Sequence, residues 1–146
     1  VKGFNIALRA EYQAKGKPFP GELSAEAYAQ SKSGFFKLAA GVAMDGLEQA
    51  ADAALDPVER IFFYMPLQHS ESAQVQDVSV NAFRRLQEEA PSALRALFAS
   101  TLDYAQLHRD IVQRFGRFPH RNAALGRAST PEEIDWLREQ GLRFGQ

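Results

Sequence analysis

Apolar residues recur at three- and four-residue spacing along most of the chain, and strict apolar-polar alternation is almost absent. No Asn-Gly or Asp-Gly pair joins two apolar runs, so hairpin strands have no turn to fold on. The pattern predicts an all-α protein. A first helix is expected from Phe4 to about Ala14, followed by an extended breaker at Lys17-Pro18-Phe19-Pro20-Gly21 and a short segment capped by Ser24. From Gly34, the residues Phe35, Leu38, Ala39, Val42, Ala43, Leu47, Ala50, Ala51 and Ala54 fall on one helical stripe, which Gly41 and Gly46 weaken. Asp56-Pro57-Val58-Glu59 reads as N-cap, N1 proline and capping-box glutamate, opening a helix with Val58, Ile61, Phe62 and Met65 as its apolar face. Pro66 is expected to end or kink it.

Ser70 to Ala90 carries Val75, Val78, Ala82, Phe83 and Leu86 at helical spacing, with Ser70 as N-cap and Pro91 as the stop. Leu94, Leu97, Phe98, Thr101, Tyr104, Leu107, Ile111 and Phe115 continue the pattern up to Gly116, a suitable C′ residue. Thr130-Pro131-Glu132-Glu133 repeats the start signal for a last short helix ending near Gly141. Short connections favour antiparallel neighbours, so one domain of packed helical hairpins is expected over residues 1–146. No 34-residue repeat is legible, and the single Trp, Trp136, lies in the last helix.

Composition narrows the function classes. Hydrophobic residues at 45% and charged ones at 24% of 146 residues suit one folded unit with a full-sized core. The absence of cysteine excludes disulfides, thiolate metal clusters and thiol nucleophiles, and it fits a cytoplasmic location. The longest apolar runs, Phe62 to Pro66 and Leu38 to Met44, fall far short of the roughly 18 to 20 residues of a membrane span, so no membrane partner is expected. The N-terminus has neither a signal-peptide core nor an initiator Met, as a fragment or a renumbered chain would. A pI of about 6.3 argues against nucleic acid as a partner.

Charge is unevenly placed. Leu102 to Arg127 holds five arginines, two aspartates and two of the three histidines, a formal +3 within a chain of −1. Such a patch suits an anion or an acidic partner. Tyr104, His108, Ile111 and Phe115 share one helical face, which turns His108 toward the core, while Asp110 and Arg114 fit a surface ion pair. Arg117-Phe118-Pro119-His120-Arg121-Asn122 must leave the helix by Phe118, because the residue before proline is pushed to extended geometry. The loop either displays Arg117, His120 and Arg121 as anion donors or ties itself to acidic residues such as Glu132. His69-Ser70-Glu71 follows the Pro66 break, where Ser70 caps, Glu71 complements the helix dipole and His69 braces the kink or faces a cleft. Neither HExxH, a Gly-rich phosphate loop nor a GxSxG elbow occurs, and no two histidines share metal-pair spacing, so no metal or cofactor is expected.

FFYMPLQHSE (Phe62 to Glu71) and HRDIVQRFGRFPHRNAALGRASTPEE (His108 to Glu133) resemble the bacterial family catalogued as domain of unknown function 924. The resemblance runs from about Asp52 to the C-terminus. It implies a tetratricopeptide-like α-α superhelix and no established activity, substrate or cofactor. It also marks His69, Ser70, Glu71, His108, Arg109, Asp110, Arg114, Phe115, Gly116, Arg117, Phe118, Pro119, His120, Arg121 and Asn122 as motif positions. The family's Trp-rich start and its Asp-Gln-Phe-Pro-Arg-Asn element are missing upstream, so residues 1–51 are read as divergent or incomplete. The expected function is a binding module for a small anionic ligand, an acidic peptide or an acidic protein, using His69, Glu71, His108, Arg109, Arg114, Arg117, His120, Arg121 and Asn122. The alternative is a hydrolase with His69, Glu71, His108 and His120 as acid/base groups.

Overall fold

The computed structural model describes Gln13 and residues 25–140. Its helices are α1 (Ala25–Glu48), α2 (Pro57–Gln68), α3 (Ala73–Glu88), α4 (Arg95–Phe115) and α5 (Pro131–Gln140). Short 3-10 turns lie at Ala51–Ala54, Ser92–Leu94, Pro119–Arg121 and Ala123–Leu125. There is no strand among the described residues, so the fold is all-α. Apart from Gln13, the expected first helix lies outside the described residues, as do the proline breaker and the Ser24 cap. No helix among the described residues is long and apolar enough to cross a membrane.

Both start signals form as their spacing predicts. Asp56 N–H donates to Glu59 at 2.9 Å, opening α2, and Glu133 N–H donates to Thr130 Oγ1 at 3.2 Å, opening α5. Gly116 leaves α4 in the left-handed region at φ 69°. The start of α3 differs from expectation: Ser72, not Ser70, accepts from Val75 N–H at 3.5 Å, while Ser70 Oγ accepts from Ser72 N–H. Pro66 does not stop α2, which continues to Gln68.

Successive helices pack on one another, α1 on α2, α2 on α3 and α3 on α4. The larger core joins Tyr64 and Leu67 of α2, Val80, Phe83 and Leu86 of α3, and Phe98, Leu102 and Ala105 of α4. The second core joins Ile111 and Val112 of α4 with Phe118 and Trp136. His108 therefore lies on α4 between the residues that enter the two cores. The expected apolar faces of α1 and α2 are corrected. Leu38 and Val42 are 70% and 61% exposed, while Ala43 of the expected stripe is buried, Leu47 packs on the core, and Ala40, outside the stripe, is buried as well. On α2, Phe62 is 67% exposed, Val58 and Met65 also face out, and Tyr64, Leu67 and Gln68 go in. Both helices carry apolar residues on more than one side, so packing partners rather than periodicity decide which side is covered.

Gly46 explains part of that choice. A Cβ built there would lie 2.5 Å from Phe63 Cζ, so glycine lets α2 approach α1 closely, whereas Gly41 faces open space. Gly41→Ala should raise stability by about 0.5–1 kcal/mol through helix propensity. Gly46→Ala must displace the Phe63 ring and should gain less or lose stability. Urea unfolding of both variants checks this, and equal gains would contradict the close approach.

Candidate functional site

The site begins where α2 stops. Gln76, fully buried on α3, donates its amide to the Gln68 carbonyl at 2.8 Å and to the Ser70 carbonyl at 2.6 Å. This takes up acceptors that a helix end leaves open, and it holds the link carrying His69, Ser70 and Glu71. From the other side comes the loop after α4, which is anchored by Phe118. Phe118 is extended before Pro119, as expected, and completely buried.

Two of the chain's three histidines, His108 and His120, pack on that ring, and the third, His69, packs on His108. His69 and His108 lie edge to face at 5.8 Å between centroids, as do His108 and Phe118 at 5.5 Å, while Phe118 and His120 are tilted by 42° at 5.6 Å. Arg121 lays its guanidinium 4.3 Å over the Phe118 ring, the geometry of a cation-π contact. It also donates to the His69 carbonyl at 2.9 Å and approaches His69 Nδ1 at 3.4 Å. Glu71 closes the cluster from below: its carboxylate accepts from Phe118 N–H at 2.9 Å and from both terminal nitrogens of Arg127 at 2.8 and 2.9 Å.

Electrostatics follow from these neighbours. Burial holds the His108 imidazole below its ordinary range despite its 2.7 Å contact with the Tyr104 carbonyl, and the Arg121 charge adds to the effect. Burial, followed by the charge of Arg121, pushes His120 down to about 4. Both rings are therefore neutral at pH 7. Burial alone would raise Glu71, but the bonds from Arg127 and Phe118 N–H overcome it and leave the carboxyl below its usual value. The result is a set of neutral imidazoles beside a stacked cation. No group of three His, Asp or Glu side chains among the described residues is placed to hold a metal ion.

Other expected site residues go elsewhere. Arg117 forks onto Glu133 at 2.6 and 2.8 Å and reaches the Ala128 carbonyl. Asn122 is buried and donates to Ser129 and to Glu133. Glu133 also accepts from Thr130 N–H at 2.7 Å, and the Arg117 bonds lead in pushing its carboxyl down to about 2. Arg117 and Asn122 thus serve the loop's attachment to α5, the tying role that was the alternative to display. Arg114 meets Glu132 at 3.0 Å on the surface instead of Asp110, which pairs with its neighbour Arg109 at 3.1 Å. Glu71 precedes the α3 cap and bonds Arg127 rather than complementing the helix dipole. Arg127 and Phe118 complete the cluster, and neither is among the expected ligand residues. Density of arginine hinted at Arg127, while nothing local connected it to Glu71, 56 residues away.

Two pH effects of the same sign, in different windows, are expected. His120 titrates near 4 when folded and near its ordinary 6.5 when unfolded. The unfolded chain takes up more protons between these values, so stability falls as pH drops from 6.5 toward 4. Equilibrium unfolding at pH 7 and pH 5 should show a smaller drop for His120→Gln than for the parent. Glu133 contributes above its ordinary 4.5, and that contribution is lost as pH falls toward about 2. Glu133→Gln should lower stability at neutral pH by more than an ordinary surface change, because Arg117, Asn122 and Thr130 N–H all lose their shared carboxylate, and it should flatten acid unfolding in that window. A neutral-pH loss below about 0.5 kcal/mol, the scale of an ordinary surface change, would contradict the anchoring role.

All of these residues fall inside the span shared with known proteins. The family described as bacterial protein of unknown function, DUF924, matches residues 23–141, reaching upstream of Asp52. A solved protein of unknown function from Agrobacterium tumefaciens is similar, with 36% identity and a TM-score of 0.57 over 71% of this chain and 53% of that one. The chain thus spans about half the length of that protein. Among curated proteins, none matches. The chain belongs to the DUF924 family of bacterial proteins of unknown function.

Proposed function

We propose that the chain is a helical binding module that takes the carboxylate or phosphate group of a small ligand or acidic peptide at the His69, His108, His120 and Arg121 cluster. One observation carries the reading: all three histidines of the chain, from the α2–α3 link, α4 and the loop after it, join one aromatic cluster, His108 and His120 against Phe118 and His69 against His108. Three rings drawn from distant segments are more than the packing of Phe118 requires. A neutral imidazole carries one N–H. His108 gives its N–H to the Tyr104 carbonyl, so His120 is the neutral ring proposed to donate to the anion, and the stacked guanidinium of Arg121 supplies charge. Within the cluster, Arg121 and Arg127 outweigh Glu71 by one formal charge.

The hydrolase alternative draws on the same convergence, since His69, Glu71, His108 and His120 do come together. Glu71 argues for binding, because both its oxygens are engaged by Arg127 and Phe118 N–H, which leaves it poorly placed to orient an imidazole. The tetratricopeptide-like superhelix implied by the resemblance would present such a cluster on a concave face, and a cytoplasmic setting accords with the cysteine-free composition.

Isothermal calorimetry with inorganic phosphate and with a tetraglutamate peptide tests the reading. Arg121→Lys and His120→Gln should each weaken binding about tenfold, equal to 1.4 kcal/mol, with Arg138→Ala as an unaffected surface control. A bound anion stabilises the imidazolium, so the His120 pKa read by NMR should rise from about 4 on saturation. Unchanged affinity in both cluster variants, or an unmoved His120 titration, sinks the proposal.

A further inference from the structure

A concavity of about 300 Å³ lies between the 3-10 turn Ala51–Ala54, α2 and the end of α3. It shares no lining residue with the histidine cluster. Its walls are Asp52, Arg60, Tyr64, Arg85 and Glu89, with Ala53 and Leu86 as apolar surface. The volume is at the lower end of small-molecule sites, which run from roughly 300 to 1,000 Å³.

Its polar groups are held in place to different degrees. Tyr64, nearly buried, donates its hydroxyl to Asp52 Oδ2 at 2.5 Å and so pins the turn onto α2. Arg60 spans from the Leu55 carbonyl at 3.1 Å to Glu89 Oε2 at 3.1 Å. Asp52 Oδ1 and Glu89 Oε1 accept no hydrogen bond from the described residues. Arg85 has neither an ion pair nor a hydrogen bond from its guanidinium among the described residues, yet it lies close enough for its charge to act on Tyr64.

The lining therefore offers two cations and two anions. A simple anion would gain from Arg85 and be repelled by Asp52 and Glu89, and a simple cation would meet the reverse. A molecule with both charges satisfies both sides. We propose that this cleft binds a small zwitterion of the free amino acid class, its carboxylate on Arg85, its ammonium on Asp52 and Glu89, and a small apolar side chain against Ala53 and Leu86. Arg60 holds Glu89 in position, and the Tyr64 hydroxyl does the same for Asp52.

The test is an amide-shift titration of the full 15N-labelled chain with L-leucine and glycine, beside N-acetyl-L-leucine and L-leucinamide, each of which lacks one charge. Free amino acids should give saturable shifts at Ala53, Arg85 and Leu86, and the two blocked compounds should bind about tenfold more weakly. Arg85→Gln should weaken L-leucine about tenfold with little change in Tm, because the Arg85 guanidinium makes no hydrogen bond or ion pair among the described residues. The proposal is overturned by any of four results: no shifts at roughly millimolar ligand, equal binding of either blocked compound, unaltered binding in Arg85→Gln, or shifts centred on His69 and His120 instead. Phosphate binding at the histidine cluster is read separately at those histidines, so either site can fail without the other.

Discussion

Burying Phe118 sets the conditions that the surrounding residues meet. Removing a phenylalanine side chain from water contributes about 2–3 kcal/mol, but it carries the backbone N–H of Phe118 inside as well. An unsatisfied buried N–H costs about 1–3 kcal/mol, enough to cancel the gain. Glu71 supplies the acceptor from 47 residues away in sequence. A half-buried carboxylate then requires a counter-charge, and Arg127 gives it with a two-bond fork. The ring face is covered by Arg121 and its edges by His108 and His120. One apolar anchor thus determines where two arginines, a glutamate and two histidines must be.

Local signals in the chain were readable because their physics is local. The capping boxes at Asp56 and Thr130 need residues only three apart, Gly116 needs one left-handed residue, and Phe118 is extended because Pro119 follows it. Periodicity also turned His108 inward correctly. What it could not decide was which side of α1 and α2 faces the core. Leu38, Val42 and Phe62 are as apolar as the residues that are buried, and the choice came from the close approach of Gly46 to Phe63 and from the bond between Tyr64 and Asp52. Neither contact follows from spacing along one helix.

The candidate site was legible as a list of residues but not as a geometry. The basic stretch looked like a displayed loop because its arginines were counted without their partners. In the fold, Arg109, Arg114, Arg117 and Arg127 each meet a carboxylate, at Asp110, Glu132, Glu133 and Glu71. Two of these partners lie in α5, and a third lies 56 residues away. Charge concentrated in sequence is thereby dispersed in space, and Arg121, stacked on Phe118, is the arginine of the stretch that reaches His69. The concentration of histidine proved the better guide, since all three rings share one location.

Rigidity at the α2–α3 link determines how that cluster can act. Pro66 has no N–H to bond back along the helix, so the last turn of α2 is short of one internal hydrogen bond. Gln76 compensates from α3 by taking the Gln68 and Ser70 carbonyls on either side of His69. Arg121 takes the carbonyl of His69 itself. Three consecutive carbonyls are therefore held by two side chains from other elements, which leaves the backbone at His69 little freedom before any ligand arrives. A binding group held this way loses little conformational entropy on association. The same bonds that close the end of α2 thus preorganise the imidazole that faces Arg121.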